Sequence, residues 1–285
     1  VERGHYVQLK PNVWKWQVGT HAYSLKKYDY QSDADKIRFI HEQLAGVGAD
    51  IVVPIEPYGD PMMIQQPWIE GDRKVQFSHS EDRKESLALL HQLHKTRHQI
   101  NWRESGHFQE INLNRKWAHR LEKWKQYETF LNKTLGPSKM KKITQLATDS
   151  LANLVPNPRE KLTLLHGDVV HHNFVRDKKS NKLYIIDFDL ACIGPPEVEL
   201  ILWAHRVLPH YHYDVNVFLS DHPTLKKIDL SYLLFPNELM REWLYATTLS
   251  DLQLRSFLPK LKIFTDKALT MMPKLWEDVG RFNGN

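Results

Sequence analysis

His166-Gly167-Asp168-Val169-Val170-His171-His172-Asn173-Phe174-Val175, followed by Ile185-Ile186-Asp187-Phe188-Asp189, is the stretch on which the reading of this chain turns. Leu162-Thr163-Leu164-Leu165 before it reads as a strand. Asn173-Phe174-Val175 can pair with Leu183-Tyr184-Ile185-Ile186 across the turn-like Asp177-Lys178-Lys179-Ser180-Asn181, a hairpin that brings Asn173 near Asp187. A loop leaving the first strand then presents Asp168, a carboxylate able to orient and deprotonate a hydroxyl. Asn173 and Asp187 offer hard oxygen donors. Mg²⁺ takes one or two such groups and completes its octahedron with water and phosphate oxygens. A lone His-x-Asp, or Asp-Phe-Asp as an ordinary turn, is common by chance; both in this order, with strands between, point to phosphoryl transfer.

His-Gly-Asp-x-x-x-x-Asn followed by Ile-Asp-Phe-Asp resembles the aminoglycoside phosphotransferase and choline kinase superfamily, whereas the eukaryotic protein kinases use a related loop that contains arginine. Within the superfamily the spacing and the Trp- and Lys-rich helices are most similar to kinase-like bacterial spore-coat proteins. The motifs cover about residues 162–189, and the order of elements carries the rest of the resemblance. It implies an α+β, bilobal protein-kinase-like fold, with a small antiparallel-sheet N-lobe and a mostly helical C-lobe. Residues 1–65 would form the nucleotide-binding lobe, 66–71 the hinge, and 72–285 the lobe with the catalytic loop and acceptor site. ATP and Mg²⁺ are the implied cofactors, with the γ-phosphoryl group passing to a hydroxyl of a small molecule. The alternative is a pseudokinase serving as a structural or binding component, with spore-coat proteins as partners and the coat rather than the cytoplasm as its location.

The same resemblance distributes roles. Asp168 is the catalytic base, and His166 braces its loop. Asn173 and Asp187 hold Mg²⁺. Lys26, on the third strand, is similar to the lysine that contacts the α- and β-phosphates, with Lys27 its competitor. Strand alternation sends those two to opposite faces, and Ala22 and Ser24 on the Lys26 face leave room for nucleotide. Glu42 is the expected helix partner of the lysine, with Asp35 the alternative. Gln66 and Ile69 are the expected backbone contacts of adenine, with Trp68 able to cover the base. His171 and His172 match no ligand position; they line the acceptor site or face solvent. Adjacent residues on an extended chain point apart, which disfavours zinc there.

Three places depart from the family pattern. Where members usually have a glycine-containing turn between the first two strands, this chain reads Leu9-Lys10-Pro11-Asn12. Proline has no NH to offer a phosphate, so weak nucleotide binding is expected. Glu42 lies near the end of its helix. Glu199 stands where an aspartate commonly supports the catalytic loop.

Composition narrows the classes. With 285 residues the chain suits one domain or two tightly joined lobes. No stretch approaches the length of a membrane span, and Val1-Glu2-Arg3-Gly4-His5 does not read as a signal peptide. The single cysteine, Cys192, excludes an intrachain disulfide and is expected to pack beside the Asp187 strand. Net charge is +5, spread along the chain; Lys139, Lys141 and Lys142 are too few for a nucleic-acid groove. The histidine groups His91/His94/His98 and His205/His210/His212 lack a carboxylate partner or a known metal motif.

Working outward, His5–Leu9, Asn12–Val18 and Ala22–Tyr28 read as strands, the latter two joined at Gly19-Thr20. A helix follows over Ser32–Ala45, with Ile37, Ile40 and Leu44 on one face and Gly46-Val47-Gly48 at its end. Ile51-Val52-Val53-Pro54 and Met62-Met63-Ile64-Gln65 read as short strands, and Gln66–Gly71 as a connector. Beyond Gly71 helices dominate. Leu87, Leu90 and His94 share one face, and Trp117, Leu121, Trp124 and Leu131 mark one long helix whose aromatic stripe reads as core. Ile143–Ala147 lies in a helix ending near Pro156. Pro196–Val207, Pro236–Leu249 and Pro259–Met272 read as later helices.

Overall fold

A computed structural model describes residues 4–71, 73–154 and 162–283. It divides into two compact units, Val1–Glu110 with Lys161–Pro196, and Ile111–Glu160 with Glu197–Asn285.

The first unit opens with a four-stranded antiparallel sheet of order β1-β2-β3-β4, built from β1 (His5–Lys10), β2 (Val13–Val18), β3 (His21–Lys27) and β4 (Met63–Pro67). Two-residue turns set its register. Pro11-Asn12 lies between the paired Lys10 and Val13, and Gly19-Thr20 between Val18 and His21. Gly19 has φ +56°, which glycine adopts without strain. Between β3 and β4 comes α1 (Gln31–Gly46), which buries Ala34, Ile37, Ile40, His41 and Leu44, the stripe that helical spacing requires.

Ile51-Val52-Val53-Pro54 is not a strand. Its three apolar residues are buried, but only Val52 forms a bridge, a parallel one to Ile185, and Pro54 cannot donate to a ladder. The connector also begins later than its composition suggests: Gln66 and Pro67 belong to β4, opposite Ser24 and Tyr23. The carbonyls of Pro61 and Met63 are held by Arg38 of α1.

The second half of this unit carries α2 (Ser80–Lys95), β5 (Thr163–Leu165), β6 (Phe174–Arg176), β7 (Leu183–Ile185) and β8 (Cys192–Gly194). β6 and β7 form the expected hairpin, Phe174 opposite Ile185. β5 pairs with β8, where Cys192 lies opposite Leu165. Asp82 of α2, fully buried, receives both guanidinium nitrogens of Arg73 at 2.5 and 2.8 Å and one from Arg176 at 3.2 Å. Burial alone would raise its carboxyl, but the two arginines and the Gln76 amide outweigh this and hold it at about 2. The residues after β4 are thereby tied to α2 and β6.

The other unit is helical: α3 (Leu113–Gln126), α4 (Glu128–Thr134), α5 (Pro137–Asn153), α6 (Pro196–Val207), α7 (Val215–Asp221), α8 (Asn237–Ala246) and α9 (Asp251–Asn283). The single long helix expected through Trp117 and Leu131 is broken at Tyr127, whose ψ of 19° leaves the helical range. Helix α8 stops at Ala246, short of Leu249. Pro259–Met272 is the middle of the much longer α9, which runs through Pro259 and Pro273. Its lost backbone bonds are offset by buried Leu261, Ala268, Leu269, Met272, Leu275 and Val279. The expected end near Pro156 lies outside the described residues. The aromatic stripe is core: Trp117 stacks on Phe235 at 4.5 Å, and the Trp124 and Trp243 indoles donate to Thr144 and Thr265. Among the described residues no helix is long and apolar enough to cross a membrane.

Two buried rings make this fold acid-sensitive. Burial pushes His41 down to about 4 against the Val53 bond, and it pushes His205 to about 4 against Glu238 and the Tyr232 carbonyl. Both folded values lie below the unfolded one of 6.5. The stability each ring contributes, about 3 kcal/mol at most, is therefore complete above pH 6.5 and lost as pH falls toward 4. Urea midpoints should drop between pH 6.5 and 5, and the double replacement His41→Phe and His205→Phe should flatten that drop; an unchanged slope contradicts this assignment.

Candidate active site

The loop after β5 is shaped by one glycine. Gly167 has φ +84°, and a Cβ there would lie 2.0 Å from the Leu190 carbonyl oxygen. Only glycine lets His166 and Asp168 diverge on either side of this close approach. His166 is buried and donates from Nε2 to the Ile186 carbonyl at 2.8 Å, while its Nδ1 accepts the Asp168 amide at 3.3 Å. Its ring meets Phe188 edge-on at 4.7 Å. The histidine thus ties the loop that carries Asp168 to the strand end that carries Asp187, a bracing geometry.

A 3₁₀ turn, His171–Asn173, then delivers Asn173, which is buried just before β6 rather than within it. Its Nδ2 donates to the Asp168 carbonyl at 2.8 Å and lies 3.4 Å from Asp168 Oδ2. Its main-chain oxygen accepts from Ile186. With the amide nitrogen committed, Oδ1 is left without a hydrogen bond among the described residues. His171 and His172 are both exposed and stack edge to face at 5.4 Å, with Phe77 6.0 Å beyond His171.

Asp187 follows β7 with φ 68° and ψ 64°, a left-handed backbone that costs a non-glycine residue about 1 kcal/mol or more. The strain turns its carboxylate toward β3. Lys26 Nζ lies 2.6 Å from Asp187 Oδ1 and 2.6 Å from Asp189 Oδ2. Burial raises the Asp187 carboxyl, but Lys26, with Lys10 and His166 behind it, outweighs burial and holds it below the ordinary carboxylate value. Asp187 Oδ2 carries no hydrogen bond among the described residues. Asp189 also accepts from the Tyr28 hydroxyl at 3.0 Å, and its carbonyl from Lys36 at 2.7 Å. Burial, and then the Asp189 charge, push the Tyr28 phenol upward, so it stays a donor.

The structure therefore brings Lys26, Asp168, His166, Asn173 and Asp187 into one connected network. Glu42 stands apart from it, exposed on α1 and without an ion pair to Lys26; Asp35 pairs with Arg38 at 2.8 Å. Lys27 is exposed. The Gln66 amide donates to the Val53 carbonyl at 2.7 Å, and the Trp68 NH to the Ala22 carbonyl. No hydrogen bond among the described residues engages the Ile69 backbone. Pro11 occupies the β1–β2 turn as written in the sequence, and its carbonyl accepts from Gln8. Glu199 is fully buried in α6. Sequence reasoning missed Asp189, Tyr28, Lys36 and Lys10. The doubled carboxylate of Asp-Phe-Asp was the available signal for Asp189.

The uncommitted Asn173 Oδ1 and Asp187 Oδ2 are hard oxygens of the kind that suits Mg²⁺, which needs few protein ligands. Among the described residues no group of three His, Cys, Asp or Glu side chains could hold a metal ion, the arrangement a structural zinc site would need. Gly167→Ala should destabilise the fold by about 2 kcal/mol or more in urea titration, through overpacking and an unfavourable φ. Near-wild-type stability would contradict the close approach to Leu190.

The family described as "Phosphotransferase enzyme family" matches residues 10–210. No curated protein matches the chain. The fold is similar to an aminoglycoside phosphotransferase from Alicyclobacillus acidocaldarius, with a TM-score of 0.68 and 16% identity over 99% of this chain and 93% of that one. It is also similar to a spectinomycin phosphotransferase crystallised with ADP and spectinomycin, at a TM-score of 0.62 and 14% identity over 94% and 92%. A choline kinase from Streptococcus pneumoniae gives a TM-score of 0.51 and 13% identity over 94% and 92%. With the family match spanning more than half its length, this chain belongs to the phosphotransferase enzyme family.

Proposed function

We propose that this chain uses Mg²⁺ and ATP to transfer the γ-phosphoryl group to a hydroxyl of a small molecule. The observation that carries the proposal is the pair of uncommitted oxygens, Asn173 Oδ1 and Asp187 Oδ2, beside a carboxylate, Asp168, tied to the same asparagine. Bound there, Mg²⁺ would neutralise charge on the transferring phosphate. Lys26 exchanges Asp187 for the α- and β-phosphates, and Asp189 steadies it from the other side. Asp168 orients the acceptor hydroxyl and takes its proton, a modest part of a loose phosphoryl-transfer barrier. Residues 1–65 hold nucleotide, 66–71 meet adenine, with the Ile69 backbone as a contact, and 72–285 supply the catalytic loop and the acceptor site. The ADP bound to the spectinomycin phosphotransferase supports nucleotide use. A cytoplasmic location goes with such chemistry, and a spore-coat role is not part of the proposal.

A second reading, a binding component without turnover, is favoured by Pro11. The β1–β2 turn offers no NH at that position, and phosphate grip there falls to the Lys10 side chain. The two readings separate experimentally. Purified protein with Mg-ATP and a panel of amino-sugar, amino-alcohol and macrolide hydroxyl compounds should show turnover, reduced at least about 100-fold by Asp168→Ala. No turnover, or turnover that survives Asp168→Ala, contradicts the first reading. Pro11→Gly should tighten Mg-ATP binding severalfold, read as a larger rise in melting midpoint. An unchanged midpoint rise would remove Pro11 as the cause of weak grip.

A further inference from the structure

A cavity of about 530 Å³ opens in the first unit, and the proposed chemistry does not use it. Its walls are one face of α1, the stretch from Gly48 to Tyr58, and Met63 of β4. This volume falls within the range of small-molecule sites. Val52, Ile55, Pro57 and Met63 give it an apolar lining, and Tyr58 adds an aromatic face.

Its polar groups are predominantly acidic. Glu42, Asp50 and Glu56 line it against a single arginine, Arg38. Arg38 is already engaged by Asp35 and by the carbonyls of Pro61 and Met63. Asp50 pairs with Lys182, and among the described residues Glu56 accepts the neutral amide of Gln65 and makes no ion pair. Among the described residues Glu42 makes no ion pair. The uncompensated charge facing the cavity is therefore that of Glu42 and Glu56. His41, 8% exposed, lines the same cavity. Carboxylates and an aromatic ring over an apolar floor suit an ammonium on a hydrophobic body.

We propose that this cavity binds an organic cation, an arylalkyl ammonium or a polyamine, and that its occupancy bears on the Asp187 loop. The route is short. His41 meets Phe188 edge-on at 6.1 Å, and Phe188 directly follows the left-handed Asp187 and also touches His166. The Val53 carbonyl accepts from both the His41 ring and the Gln66 amide, which joins the cavity to the start of the proposed hinge. A ligand seated against His41 thus presses on the residue that sets Asp187's backbone. Only the consequence for catalysis rests on the phosphotransferase reading; binding and loop protection need neither nucleotide nor turnover.

Calorimetry of the full nucleotide-free chain with tryptamine and with spermidine tests the site, with tryptophol as the uncharged control. At least one cation should bind saturably, tryptophol at least tenfold more weakly than tryptamine. Glu56→Gln should weaken the binding about tenfold. Ala45→Arg, which places a long cation at an exposed helix position on the cavity wall, should abolish it while the melting midpoint holds. Hydrogen exchange of residues 186–191 should slow severalfold when the cavity is saturated. Absence of saturable binding by either cation, equal binding of tryptophol and tryptamine, or wild-type affinity in Ala45→Arg overturns the site. Saturation that leaves exchange of 186–191 unchanged overturns the coupling. Mg-ADP binding measured in parallel reports on the phosphotransferase reading independently.

Discussion

The bridge from Lys26 to Asp187 and Asp189 is the interaction around which the rest of the first unit is arranged. It needs two things that the sequence places far apart. Strand β3 must carry the lysine on the face away from Lys27. Asp187 must hold a left-handed backbone, which an L-residue adopts only when its surroundings over-determine it. Those surroundings are the His166 bond to Ile186, the packing of Phe188 between His41 and His166, and the close approach of Gly167 to Leu190. The strain at Asp187 is thus held by a buried histidine, an aromatic and a glycine, none of which need touch a substrate.

The same bridge explains how a site can be electrostatically settled without ligand and still be suited to one. A lone buried carboxylate would be raised and neutralised; Lys26 keeps Asp187 ionised, with one oxygen left over. Asn173 is handled in parallel, its nitrogen spent on the Asp168 carbonyl and its oxygen uncommitted. In the proposed chemistry, phosphate replaces Asp187 as the partner of Lys26, an exchange of one anion for another that leaves the lysine charge compensated throughout.

Much of this was legible in the sequence because the motif is local. His166 to Asn173 and Ile185 to Asp189 span a loop and a hairpin, and short-range turn and strand signals suffice to fold them. Helix α1 is legible from Ile37, Ile40 and Leu44, and the tryptophan stripe, which the spacing marks as core, is buried. Long-range pairing was not. Nothing in Cys192 or Thr163 announces that β5 pairs with β8, and Ile51-Val52-Val53 has strand composition but only one bridge, made to a distant residue, Ile185. The resemblance implies a lysine partner on α1, whereas here the ammonium meets the doubled carboxylate of Asp-Phe-Asp. Pro259 and Pro273 read as helix boundaries by local rules, and burial along α9 overrides them.

In the proposed chemistry Asn173 and Asp187 together hold a divalent cation in the presence of nucleotide. Electron paramagnetic resonance with Mn²⁺ in place of Mg²⁺ tests it most directly, by titrating the metal into protein with saturating ADP. One bound Mn²⁺ per chain is expected in the wild type, weakened at least about tenfold by Asp187→Asn or Asn173→Ala, while circular dichroism shows the fold intact. Equal Mn²⁺ affinity in the wild type and in both folded variants would contradict it.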